Sequence, residues 1–562
     1  VRRIARSPFW LFLLLALGVT WPLAVRSTRS IASDYADPLF ATWLIGWVAG
    51  QITHALRGDL NALRALWDAN IFFPERNTLA FAEHLVGETF QVLPIYWLTG
   101  NLLLCYNVAF LLTFVLGAFG MYLLMADLTG SAAAAVAAGV FFAFTQYRLV
   151  YEVSHLQTLS NHWLPLALFG LHRFIATHSR RALAGGAAAL VLLNLSAGFH
   201  MLFDGPFIAA FVAVDLTRHG RLRDRRAWIA LASTGAAVGL LTLPFVHPYA
   251  VMQRQLGFER RLDEVIRFSA TLDQYRAALP GFVVPLVLAS IAIICEFRLR
   301  AASAAARWGR TSPSALVAVA GVGGLLAFWL SLGPVVQSGG RALPIPGLYA
   351  LLYSYVPGFN GVRAVARMAT MFFFFLAMLA GFGVAAIQHR STRAAAQAMA
   401  IVACAIFLWQ TAPAPLPLDR EWPFVSQGLA PVPDYLRPTP SVPSVYRFVA
   451  TLDPNAVLVE FPFGDNAYDL RYMYFSAAHR RRMLGGYSGV FPDSWVRRRS
   501  VLEHPLAHVD AAWTALDGAT HAIVHARAWP DATGARIGDW LRAHGAREAG
   551  VFDEAHVFEL RR

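Results

Sequence analysis

The chain contains no lysine: all 47 of its basic residues are arginine. Charge of any kind is scarce, at 14% of 562 residues, while 57% are hydrophobic and the mean hydropathy is +0.48. Soluble domains are usually about 45–50% apolar, so an ordinary soluble protein is excluded. An arginine-only, alanine-rich composition points to a GC-rich bacterial genome. The three cysteines, Cys105, Cys295 and Cys404, all fall in hydrophobic segments, with neither metal-ligand spacing nor a disulfide framework. A phosphate-cradling glycine loop and a nucleophile elbow are both missing, which argues against nucleotide-driven chemistry. The formal charge of +13 would suit nucleic acid. Much of the arginine, however, lies in short loops between apolar runs, where membrane orientation puts it. No nucleic-acid partner is expected. There is no internal repeat and no low-complexity tract.

What is present is a series of hydrophobic runs of about 20 residues, each long enough to cross a bilayer. The first, 8–25, follows Arg2, Arg3 and Arg6 and lacks a small-x-small cleavage site, so it reads as a retained span. Others cover 101–126, 132–147, 160–176, 183–200, 201–216, 228–248, 279–297, 314–334, 367–387 and 395–412. The expected fold is mainly α, a polytopic bundle of about eleven spans with a small C-terminal α/β domain. The arginine-rich loops RRIAR, HSRR, TRHGRLRDRR, FRLRAASAAARWGR and HRSTR all fall on one side if the spans alternate. That side is cytoplasmic by the positive-inside rule. The predicted division is a transmembrane domain over 1–412 with a large outside loop at 26–100, a Pro-rich linker over 413–443, and an extracytoplasmic α/β domain over 444–562. In the last, NAVLVEF and THAIVHA read as buried strands, and SVYRFVATL, SWVRRRSVLE and ARIGDWLRAHG as helices. Asp465, Asp469 and Asp493 sit in turn-rich contexts and are read as loop residues.

The first outside loop carries Asp34, Asp37, Asp68, Glu75, Glu83, His84 and Glu88. Two pieces of it, 38–55 and 79–98, are apolar but studded with polar residues, as interfacial helices are. Asp37-Pro38 reads as a helix start, with Asp37 as N-cap; the alternative is a general base or metal-binding carboxylate at the membrane surface. Glu83 and His84 are either an exposed pair on the second interfacial helix or inward-facing pocket residues. In the second outside loop, QYRLVYEVSHLQTLS, Arg148, Glu152, His155 and Gln157 stand out. The Glu152–His155 spacing of one helical turn suits an acid/base pair or a metal ligand. Arg363 and Arg367, four residues apart, are read as sharing a helix face, placed for bidentate phosphate recognition or for lipid anchoring.

Taken together, DPLFATWLIGW, DANIFFPERNTLAFAEHLVG, NVAFLLTFVLGAFGMYLL, SHLQTLSNHWLPLAL, PGFNGVRAVAR and GGYSGVFP resemble the GT-C-type membrane glycosyltransferases, and more narrowly the YfhO-like bacterial membrane proteins. The resemblance covers most of the chain. It implies sugar transfer from a polyprenyl-phosphate donor to an envelope glycan, lipid or protein acceptor on the outer face of the bacterial inner membrane. It also implies that a first-loop aspartate, Asp37 or Asp34, is the catalytic base. Arg363, Arg367 and Arg148 would hold the donor phosphate, and Glu83, His84, Glu152, His155 and Gln157 would line the pocket. No adjacent acidic pair matches, which leaves a divalent metal ion open as a cofactor. The other readings are a carrier or flippase for a lipid-linked or anionic substrate, and a catalytically silent envelope-assembly protein. A carrier would bury polar residues midway through its spans.

Overall fold

The computed structural model describes residues 6–257, 259–302, 314–422 and 425–560. The basic start at 1–5 and most of the arginine loop at 297–310 lie outside the described residues. The helices, in chain order, are α1 (Arg6–Val19), α2 (Asp37–Leu56), α3 (Val86–Thr99), α4 (Leu102–Thr129), α5 (Ala132–Ala143), α6 (Trp163–Thr177), α7 (Arg180–Ser196) and α8 (Phe199–Arg218). They continue with α9 (Arg225–Leu256), α10 (Val283–Ala302), α11 (Ser314–Ser331), α12 (Ala369–Gln388) and α13 (Arg393–Thr411). The C-terminal region adds α14 (Asn466–His479), α15 (Asp493–Leu502) and α16 (Thr533–Ala543). Among the described residues, eight helical segments are long and apolar enough to cross a membrane, with two shorter apolar helices, Pro8–Val19 and Ala315–Ser331. The protein is a multi-pass membrane protein, mainly α. The predicted spans fall on α1 and α4–α13, of which α6 and α7 are not among the segments long and apolar enough to cross. One of the eight long segments is α2, which the sequence places in the interface.

The chain forms two compact units. The first comprises Val1–Ala24, Phe110–His247 and Gly257–Leu416. Its centre is α12, an almost wholly buried run of Phe, Met, Leu, Ala and Gly that packs on α5, α10 and α11. Small residues make these approaches close: a Cβ at Gly383 would stand 2.0 Å from the carbonyl oxygen of Leu288. A hairpin absent from the sequence reading, β1 (Val335–Ser338) and β2 (Arg341–Pro346), follows α11.

The second unit comprises Val25–Ala109, Pro248–Leu256 and Pro417–Arg562. Its sheet has the order β4-β3-β5-β7-β6, from β3 (Val457–Phe461), β4 (Arg482–Met483), β5 (His521–His525), β6 (Arg547–Phe552) and β7 (Ala555–Glu559). β4, β3 and β5 are parallel; β7 and β6 run antiparallel. The first loop is built onto this domain. Phe72 N–H and Phe73 N–H donate to the carbonyls of Gly485 and Met483, and Met483 N–H donates to Asn70. Helix α14 packs along α2. The expected loop aspartates are corrected: Asp465 caps α14 by accepting from Tyr468 N–H at 3.1 Å, and Asp469 lies within the helix, fully buried. Helix α14, NAYDLRYMYFSAAH, is buried on nearly every side and mixes charged with apolar residues, so neither period announces it.

Candidate active site

In the second unit the chain leaves residue 30 and pairs with the start of the Pro-rich segment, through bridges Ala32↔Leu418 and Asp34↔Arg420. Asp34 closes the turn that follows. Its Oδ1 accepts from Ala36 N–H at 3.0 Å and its Oδ2 from the Ser33 hydroxyl at 2.7 Å. Asp37 then opens α2 as its first helical residue. The N-cap is Ala36, without a side-chain cap, so the expected capping role of Asp37 is corrected. Asp37 Oδ1 accepts from the Tyr487 hydroxyl at 3.3 Å. Tyr487 comes from the GGYSGVFP motif and stacks edge-on against Phe40, at 5.5 Å between ring centroids. Asp34 is thus committed to the backbone, whereas Asp37 stands in a helix's first turn, where the dipole favours a carboxylate.

Glu83 and His84 are not on a helix. The segment expected to be helical over 79–98 is a short 3-10 turn, Thr78–Phe81, then extended chain, then α3 from Val86. His84 is buried between Trp67 and Tyr249, with centroids at 5.6 and 6.2 Å, and its Nδ1 accepts from Val86 N–H. Nε2 therefore carries the proton, and burial pushes the imidazole down to about 3. It is a neutral core histidine at physiological pH.

In the first unit, Glu152 and His155 meet at 3.3 Å, and Arg367 Nε stands 3.8 Å from the same carboxylate oxygen. Burial alone would raise the Glu152 carboxyl. The adjacent His155 and Arg367 outweigh it and hold Glu152 below the usual carboxylate range. Arg363 and Arg367 do not share a helix face: Arg363 precedes the 3-10 turn Val365–Met368 and lies over the Phe268 ring at 4.8 Å, while Arg367 lies over Phe199 at 5.3 Å. Arg148 is buried, donating to Asn161 Oδ1 and to the carbonyls of Thr113 and Leu159, and sandwiched by Phe114 and Phe142. Those bonds make it the clamp of the 156–162 segment, so this geometry lends no support to Arg148 as a third phosphate ligand. Gln157 takes part through its backbone carbonyl, which accepts from His200 Nε2 at 3.1 Å.

His200 and Asp204 were missed by sequence reasoning. They are buried and meet at 2.9 Å on α8. Their spacing of four residues on an apolar helix was the available signal. Because the Gln157 carbonyl only accepts, His200 donates to it from Nε2, and Nδ1 faces Asp204. Among the described residues no group of three or more His, Cys, Asp or Glu side chains converges as metal ligands do.

No protein-family model matches the chain, and no curated protein matches it. Among solved structures, the chain is similar to the arabinofuranosyltransferase AftD from Mycobacteria, in its R1389S mutant, at 14% identity and a TM-score of 0.60. That alignment covers 100% of this chain and 42% of AftD, so the chain spans less than half of that protein. ArnT from Cupriavidus metallidurans is matched at 14% identity and a TM-score of 0.41, over 98% of this chain and 97% of that one. The archaeal oligosaccharyltransferase AglB from Archaeoglobus fulgidus is matched at 10% and 0.44, over 99% and 74%. The likeness that carries weight is that of AftD, and it is one of fold alone: the chain shares the fold of the matched part of that protein.

Proposed function

We propose that the protein transfers a sugar from a polyprenyl-phosphate donor to an extracytoplasmic envelope glycan, lipid or protein, in the bacterial inner membrane. YfhO-like proteins are the relatives we infer from its motifs. The carrying observation is Asp37: a carboxylate in the first turn of α2 that accepts from the Tyr487 hydroxyl, in a chain that shares the fold of AftD. In this reading Asp37 accepts the proton of the acceptor hydroxyl as that oxygen bonds to the sugar's anomeric carbon. The bond from that carbon to the phosphate breaks, and the phosphate departs on its lipid. In the first unit, Arg363 and Arg367 are the residues we assign to binding a lipid phosphate. Glu152 and His155 set the position of Arg367. Residues 444–562 shape the acceptor side.

The carrier reading asks for ionisable groups midway through spans. In α8 they stand toward the two ends, His200 with Asp204 and then Asp215, and 205–214 carries none. That supports the enzyme. The test is transfer of radiolabelled sugar from a polyprenyl-phosphate donor by purified protein, wild type against Asp37→Asn. Equal rates in the two would overturn the assignment.

A further inference from the structure

A cavity of about 680 Å³ in the second unit lies away from Asp37. Its walls come from the last turns of α2 and α3, the 439–442 segment and the end of α14. Gly50, on its wall, stands thirteen residues beyond Asp37 on α2, about 20 Å along the axis. Arg57 and Arg480 line it with His54, and no carboxylate does. Neither arginine has an acidic partner among the described residues. Arg480 is the C-cap of α14, at φ +57°, a position glycine normally fills. Its guanidinium lies against the backbone of α2 at Gly50, where a Cβ would stand 1.4 Å from Nη2. The chain thus keeps a glycine on α2 and an arginine at the cap of α14, and together they put a cation in the wall.

The rim is apolar. Leu56 on its wall is 70% exposed, and Leu98, next along the chain from the lining Trp97, is 85% exposed. Trp97, half exposed, donates from its indole N–H to the Thr53 hydroxyl at 2.9 Å, which fixes the ring at the cavity edge. Tryptophan and exposed leucines beside unpaired arginines match the boundary between acyl chains and headgroups. A soluble anion would need the arginines but not the leucines.

We propose that this cavity holds the phosphate headgroup of an anionic membrane lipid, with Arg480 and Arg57 on the phosphate and the acyl chains along Leu56, Trp97 and Leu98. The site is independent of the proposed transfer chemistry.

The plain alternative is that Arg480 offsets the partial negative charge of the helix C-termini gathered there. Arg480→Gly separates the two, because glycine suits the cap conformation and removes the guanidinium. The full chain would be placed in nanodiscs of mixed phosphatidylglycerol and phosphatidylcholine, and the lipid retained on extraction counted by native mass spectrometry. Wild type should retain phosphatidylglycerol over phosphatidylcholine. Arg480→Gly and Arg57→Gln should each lower that retention about fivefold, with the thermal midpoint of Arg480→Gly unchanged or raised. Arg480→Gln serves as the second variant should the glycine change fail to fold. Unchanged retention in both folded variants, or a lowered midpoint with retention intact, overturns the lipid site in favour of helix-end compensation. Displacement of phosphatidylglycerol by inorganic phosphate at equal concentration overturns it in favour of a soluble anion.

Discussion

Asp37 is followed directly by Pro38, and the pair fixes a helix start at the residue that carries the carboxylate. Because Asp37 is not the cap, Asp37→Asn leaves the helix end as it was. We expect that variant to fold, insert and bind donor lipid while transfer falls by at least about a hundredfold, measured as sugar transferred per enzyme. Asp34→Asn should act differently. It weakens the bonds to Ser33 and Ala36, so its thermal midpoint should fall while residual transfer exceeds that of Asp37→Asn. At the phosphate end, Arg363→Lys keeps the charge and loses the planar fork. Donor affinity should weaken by about 1–3 kcal/mol, read by titration with polyprenyl-phosphate sugar. Unchanged affinity in Arg363→Ala and Arg367→Ala would leave only a lipid anchor. At this scale the Glu152–His155 contact was legible from its one-turn spacing, whereas the helix cap before Asp37 and the separate settings of Arg363 and Arg367 were not. Nor was Tyr487, the partner of Asp37 from 450 residues away, because nothing local in GGYSGVFP names what its hydroxyl reaches.

At the scale of elements, long apolar helices announced themselves, since twenty uncharged residues have few other uses. Strands β3 and β5 did too, as short buried β-branched runs. The break between 81 and 86 did not. An apolar segment with a helical composition is pulled straight there because Leu85 takes a left-handed conformation and His84 is drawn into an aromatic core. Helix α14 was invisible for a related reason: it is buried on every side and so lacks an amphipathic stripe. Its burial has a measurable cost. Asp469 Oδ2 has no hydrogen-bond partner, and burial raises that carboxyl well above its usual range. Asp469→Asn should therefore raise stability at neutral pH, by about 1–3 kcal/mol, seen as a higher thermal midpoint. The buried histidines work with the opposite sign. His84 and His479 are lowered from 6.5 to about 3, so the unfolded chain takes up protons that the folded one refuses. Their contribution is whole above pH 6.5 and is lost as pH falls toward 3, at about 1.4 kcal/mol per unit for each. Thermal melts of His84→Asn and wild type over that window should converge as the pH drops.

For the whole molecule, orientation rests on arginine. We expect the N-terminus in the cytoplasm and the chain from Pro431 outside, from the asymmetry of the loops. A reporter fused after the last residue and active only in the cytoplasm would reverse the assignment of every candidate residue. The second unit is also discontinuous, and that places a demand on time. Its first stretch ends at Ala109 and its last begins at Pro417. At roughly 5–20 residues per second, a ribosome spends about a quarter of a minute to a minute making what lies between. Through that interval α2 waits without the helix that will cover it, and the Asn70–Phe73 backbone waits without its partners. The early loop is a half-built object until the C-terminal sheet is made.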